Sequence, residues 1–214
     1  MDLLGGFNVK KAEELLSSKY RHVSGATMSI SATCIDTGGL STQEVYAFVR
    51  KHRRRNVLGV KGASRPNKPI LSAKPTLVDI KTNGRIEKKG AQLWIVGVDT
   101  AKDYLHVRWP RTTGPGAVHF SNELPESYYK GLTAEYRTYG YKRGVKVSWW
   151  EKKKGEPNEP LDLMNYNLAA AHFLGLHKKT EHAWQLLRDR VQPHAGDLFA
   201  MAALQDVPPD IEKN

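Results

Sequence analysis

Asp36 ends an apolar run, residues 27–35, and is followed at once by Thr37-Gly38-Gly39 and by an amphipathic stretch beginning at Thr42. A carboxylate at the carboxyl edge of a strand, beside the start of a helix, is a common way to build a metal or phosphate site. Asn158-Glu159-Pro160-Leu161-Asp162 supplies two more carboxylates at a second helix start, with Pro160 suited to the first helical position. Glu159 and Asp162 are three apart and can share a helix face. Taken alone, acids at a helix start need only the helix dipole to explain them. Together with Asp36 they make an oxygen-rich set suited to a hard cation such as Mg2+, which takes one or two carboxylates and keeps several waters. Lys61, in Lys61-Gly62-Ala63-Ser64-Arg65, follows another short apolar run and could meet a phosphate, or serve as a plain solvated loop.

These residues need elements to hold them. Residues 9–20 read as a helix with Ala12, Leu15, Leu16 and Tyr20 on one face, and residues 27–35 as a buried strand. Thr42 is a candidate cap for a helix over 43–53 with Val45, Phe48 and Val49 inward, and 56–60 reads as a second strand. This is a βαβ pattern, whose right-handed crossover lays the strands parallel and brings Asp36 and Lys61 to one edge. Residues 64–90, rich in proline, glycine and lysine, read as an exposed connection with a short strand near 77–80. Strands are expected at 92–98 and 117–120, with Asp99, Lys102 and Asp103 forming a turn or local ion pair between them. A helix near 125–135, a hairpin over 136–152, and helices from Leu161 to Leu174 and over 179–191 complete the reading. The expected division is one domain over 1–192 and a frayed tail over 193–214.

The 33 Lys and Arg against 22 Asp and Glu give a net charge of +11, which favours a polyanionic partner such as nucleic acid. The runs Lys51-His52-Arg53-Arg54-Arg55 and Lys152-Lys153-Lys154, with Arg65 and Lys68, would concentrate that field if they converge. In the hairpin, Tyr139, Tyr141, Lys142, Arg143, Lys146 and Trp149 interleave aromatic and basic groups, which suits base stacking as well as an ordinary half-buried strand. A 40% hydrophobic fraction with five Trp and nine Tyr supports a packed core and excludes global disorder. The single cysteine, Cys34, excludes an internal disulfide and a cysteine-based zinc cluster, so a reducing compartment is expected. No apolar stretch approaches the roughly 18–20 residues of a membrane span. No G-x-x-x-x-G-K-[ST] phosphate loop or H-E-x-x-H pair occurs, which disfavours ATP hydrolysis and zinc hydrolysis in this chain.

Several segments stand out in a fixed order along the chain. They are Tyr20-Arg21-His22-x-Ser24-Gly25, Cys34-Ile35-Asp36-Thr37-Gly38-Gly39-x-x-Thr42-Gln43, Val60-Lys61-Gly62-Ala63-Ser64, and Leu93-Trp94-Ile95-Val96-Gly97-Val98-Asp99-Thr100-Ala101-Lys102-Asp103. Gly114-Pro115-Gly116-x-x-His119-Phe120 and Asn158-Glu159-x-Leu161-Asp162 follow in order, and together these segments resemble the large terminase subunit of lambda-like tailed phages. The resemblance implies the carboxyl-terminal nuclease domain: an α/β, RNase H-like mixed sheet flanked by helices. It implies cleavage of concatemeric viral double-stranded DNA during genome packaging, with Mg2+ or Mn2+ bound by Asp36 and by Glu159 or Asp162. Lys61 would position the strand, and Arg53, Arg54, Arg55, Arg65 and Lys102 are the candidate DNA contacts. In that fold Asp36 stands for the acid of the fourth strand, so the first three strands and their aspartate are expected upstream of Met1. The implied partners are DNA, an ATPase segment, the small terminase subunit and the portal, in the host cytoplasm and without a membrane. The alternative is a DNA-binding or assembly module of the packaging machinery, from a split gene or a prophage remnant, that keeps the fold without catalysis.

Overall fold

The computed structural model describes residues 6–22, 24–82 and 84–191. They group into two compact units, one spanning residues 32–174 with Gly6, the other formed by residues 7–31 and the stretch from 175 onward. The tail expected beyond 193 lies outside the described residues.

In the smaller unit, helix α1 covers Val9–Ser17 and is capped by Asn8, whose side chain accepts from Lys11 N at 2.9 Å. It stops three residues earlier than the periodicity predicts. Ser18 turns its hydroxyl back to Glu14 O at 3.0 Å, and the chain then extends as β1, Lys19–Arg21, antiparallel to β2, Thr27–Ser29. Tyr20 therefore lies on a strand, and Leu15 is half exposed while Leu16 is buried. Helix α6, Glu181–Val191, belongs to the same unit, and the Ser24 hydroxyl donates to Val191 O.

The larger unit carries a four-stranded mixed sheet in the order β3-β4-β6-β5. Its strands are β3, Thr33–Asp36; β4, Val57–Gly62; β5, Thr76–Thr82; and β6, Arg85–Val96. The single strand expected over 27–35 is thus two, because Thr27–Ser29 pairs with β1 whereas Thr33–Asp36 pairs in parallel with β4. Strand β6 runs parallel to β4, and β5 pairs with it antiparallel. The lysine-rich end of the presumed 64–90 connection is therefore a hairpin, in which Asp79 Oδ1 accepts from Lys89 N at 2.8 Å.

Alternating side chains divide the sheet between two faces. On one face Cys34, Leu58, Val60, Trp94 and Val96 pack with Tyr166, Ala169 and Phe173 of α5, Glu159–Phe173. On the other, helix α2, Thr42–Lys51, buries Val45, Phe48 and Val49. A Cβ on Gly59 would stand 3.2 Å from Thr37 Cγ2 and 3.5 Å from Val49 Cγ2, so glycine lets this face close on the sheet. Helices on both faces account for the near-continuous burial of Val57–Val60.

Helix α3, Val98–His106, replaces the turn expected at Asp99–Asp103. Its inner residues Ala101, Lys102 and Leu105 have helical spacing, but a lysine on the buried side disguises the pattern. Residues 117–120 form no strand, since the segment finds no pairing partner; Phe120 instead meets Tyr129 edge-on at 5.7 Å. Helix α4, Glu126–Leu132, packs tightly on the start of α5: a Cβ on Gly131 would come within 2.6 Å of the Pro160 ring. The last two strands, β7, Glu135–Lys142, and β8, Val145–Lys152, form the expected hairpin. Arg143 and Gly144 both have positive φ, as a two-residue hairpin turn requires. Asp103 of α3 fastens this hairpin, accepting from Trp150 Nε1 at 3.0 Å and pairing with Arg137 at 2.9 Å. Among the described residues, no helix is long and apolar enough to cross a membrane.

Candidate active site

Asp36 lies exposed at the carboxyl end of β3, in register with Val60, so Lys61 is one residue further along the neighbouring parallel strand. The crossover thus brings Asp36 and Lys61 to the same sheet edge, as expected. The backbone after Asp36 is locked. Asp36 Oδ1 accepts from Gly38 N at 2.9 Å, and the buried Thr37 donates its hydroxyl to Val60 O at 3.0 Å. Thr42 does not cap α2; Ser41 holds that position, and the Thr42 hydroxyl donates to Thr37 O and Gly39 O at 2.8 and 2.7 Å, closing the glycine turn.

Helix α5 delivers the second carboxylate. Asp162 is half-buried and interacts electrostatically with Asp36. Burial pushes its carboxyl above the ordinary range; Lys102 opposes that rise, while Glu135, Asp36 and Glu159 reinforce it. One helical turn on, Tyr166 lies close enough to Asp36 for the two side chains to interact. Its hydroxyl is held well above the usual phenol range, by burial first and then by the Asp36 and Asp162 charges, so Tyr166 stays neutral beside them. Glu159 is exposed on the first turn of α5 and reaches Asp162 only through its charge. Beneath the sheet, burial raises the Cys34 thiol to about 12 and keeps it protonated.

A second layer lies behind Asp162. Asn158 Nδ2 donates to Asp162 Oδ2 at 3.1 Å and to Glu135 Oε1 at 2.8 Å, and Lys102 Nζ binds Glu135 Oε2 at 2.7 Å. Lys102 and Glu135 are each 8% exposed, so this is a buried ion pair. Lys102 was expected as a DNA contact; it faces inward, its charge committed to Glu135. Glu135 and Tyr166 escaped the sequence reading. Tyr166 could have been found, since it lies four residues after Asp162 on one helix, whereas Glu135 opens a hairpin that no local spacing ties to α5.

The remaining basic candidates separate. Arg65 is exposed three residues beyond β4, on the Asp36 side. Arg53, Arg54 and Arg55 are exposed in a single 3-10 turn that precedes β4, and so lie at the opposite, amino edge of the parallel strands. The connection that puts Asp36 and Lys61 together is what sends this cluster to the far end.

Among the described residues, no group of three or more His, Cys, Asp and Glu side chains is arranged to hold a metal ion. The donor chemistry at Asp36 and Asp162 is still that of a hard cation's site: two carboxylates, with solvent reaching Asp36. Such a pair fits a hydrated divalent ion and does not by itself make an all-protein cage.

The family described as terminase large subunit gpA, endonuclease domain, matches residues 8–184. The chain belongs to this family. Every residue of the Asp36, Asp162, Tyr166 and Lys102–Glu135–Asn158 constellation lies inside the matched span. It is 37% identical over 170 residues to the large terminase subunit of Escherichia phage lambda, and 32% identical over 169 residues to that of Enterobacteria phage P21. Each match takes in 75% of this chain and 25% of the relative, so the chain corresponds to about a quarter of those proteins' length. No solved structure matches it.

Proposed function

We propose that this chain is the metal-dependent endonuclease part of a packaging terminase, cutting concatemeric viral double-stranded DNA. The observation that carries the reading is that Asp36 at the sheet edge and Asp162 of α5 lie close enough to feel each other's charge, with Tyr166 beside both, inside a terminase endonuclease match. In this reading Asp36 and Asp162 hold Mg2+ or Mn2+, and Glu159 lies at the solvent side as an auxiliary acid. Bound there, such an ion supplies Lewis-acid polarisation of the scissile phosphate and a more acidic water. Tyr166, neutral beside Asp36, is available to orient its carboxylate. Lys61, exposed on the adjacent strand, offers a cation to a non-bridging phosphate oxygen. Arg65 on the same edge contributes to holding the backbone of the duplex, and the net charge of +11 draws it in.

The RNase H-like classification belongs to the same proposal, with three further strands and an aspartate beyond β3. It is supported by the mixed sheet with helices on both faces and by β3 having one described neighbour, β4. An ATPase segment, the small terminase subunit and the portal are the proposed partners, in the host cytoplasm. The second reading, a DNA-binding or assembly module without catalysis, is favoured by one observation: the described residues assemble no three-residue metal group.

Plasmid nicking separates the two. Purified chain with supercoiled DNA and Mg2+ or Mn2+ is expected to produce nicked circles, and Asp36→Ala to abolish them while DNA affinity stays within about twofold. Metal-independent DNA shifting with no nicking in either protein would support the second reading.

A further inference from the structure

We infer that Lys102, Glu135 and Asn158 form a positioning network that fixes the Asp162 carboxylate for a divalent cation, an inference that rests on the endonuclease reading above. Asn158 stands at the N-cap of α5, where an asparagine side chain ordinarily accepts a hydrogen bond from an amide of the first turn. It makes no such bond. Its Nδ2 group instead uses one hydrogen for Glu135 Oε1 at 2.8 Å and the other for Asp162 Oδ2 at 3.1 Å. The helix start thus forgoes its most effective cap so that one amide can bridge two carboxylates.

Glu135 would be a poor neighbour for Asp162 unless neutralised, since like charges at this range repel. Lys102, buried on α3, binds the other Glu135 oxygen at 2.7 Å, and its positive charge favours the ionised form of Asp162 as well. Three elements that share no local sequence, α3, β7 and α5, are thereby tied to one Asp162 oxygen. With that oxygen held, rotation of the carboxylate is restricted. Outer partners of this kind orient metal-binding carboxylates, and their loss typically costs 10–100-fold in metal affinity. None of the three residues is assigned a contact with substrate; they act through Asp162.

The test is Mn2+ binding to the full chain by calorimetry, with thermal melting alongside. Asn158→Ser retains a hydroxyl able to cap α5 but cannot bridge both carboxylates. It is expected to melt within a few degrees of the wild type and to bind Mn2+ about 10–100-fold more weakly. Lys102→Met combined with Glu135→Leu removes the ion pair without leaving a buried charge, and is expected to stay folded with a similar loss of affinity. Unchanged Mn2+ affinity in both variants, against a wild type that binds, would overturn the network while leaving the endonuclease reading intact. A wild type that binds no Mn2+ would overturn the metal site itself, and the network with it.

Discussion

Lys102→Met is the sharpest perturbation of the buried layer. The ammonium and the Glu135 carboxylate are 2.7 Å apart and each residue is 8% exposed. At that separation, with an effective dielectric near 20, their attraction is about 6 kcal/mol. Removing Lys102 also removes its own desolvation cost, which returns part of that sum, and it leaves Glu135 buried beside Asp162 with only Asn158 as a donor. Breaking a buried pair in this way costs about 3–5 kcal/mol. For a domain of this size each kcal/mol moves the midpoint about 2–4 °C, so a fall of about 6–20 °C is expected. The assay is urea unfolding followed by tryptophan fluorescence, with calorimetric melting as a second probe. The double variant Lys102→Met, Glu135→Leu should recover most of the loss, because paired burial of charges is often no better than apolar packing. A single variant within about 1 kcal/mol of the wild type would refute the burial of the pair, and a double variant as unstable as the single would refute the charge argument.

Three further outcomes follow from the site. Asp162 has a raised carboxyl, so its charge opposes folding above that raised value, and the penalty disappears below the unfolded value of about 3.9; Asp162→Asn should therefore abolish nicking yet melt higher than the wild type at pH 7, with the gain vanishing near pH 4. Cys34, with its thiol raised to about 12, should resist alkylation by iodoacetamide at pH 8 in the folded protein and react once urea unfolds it. Replacing Arg53, Arg54 and Arg55 together by alanine should leave the nicking rate at saturating DNA unchanged, because the cluster stands at the sheet edge opposite Asp36, whereas Arg65→Ala should flatten the salt dependence of DNA binding by about one unit of log–log slope.

The parts of this site that sequence made legible are those set by local spacing. A strand, a glycine turn and a helix return the chain to a parallel strand, so local spacing alone puts Asp36 and Lys61 on one edge. Pro160 marked the start of α5, and with it Asp162. What remained hidden depends on distant segments. Lys102 reads as a surface cation because nothing nearby reveals that Glu135, 33 residues later, will meet it. Arg53–Arg55 read as part of the site because charge runs carry no directional information, whereas the parallel crossover does. Sequence leaves Glu159 and Asp162 equivalent, and the two differ in their surroundings: Asp162 is half-buried and bonded to Asn158, and Glu159 is exposed.

The central claim is that Asp36 and Asp162 together hold a divalent cation. A crystal of the full chain soaked in Mn2+ and measured at the manganese edge tests it most directly. An anomalous peak bridging the two carboxylates is expected, lost in Asp36→Ala. Saturating Mn2+ with no peak at Asp36, or a peak confined to Glu159 and solvent, would contradict it.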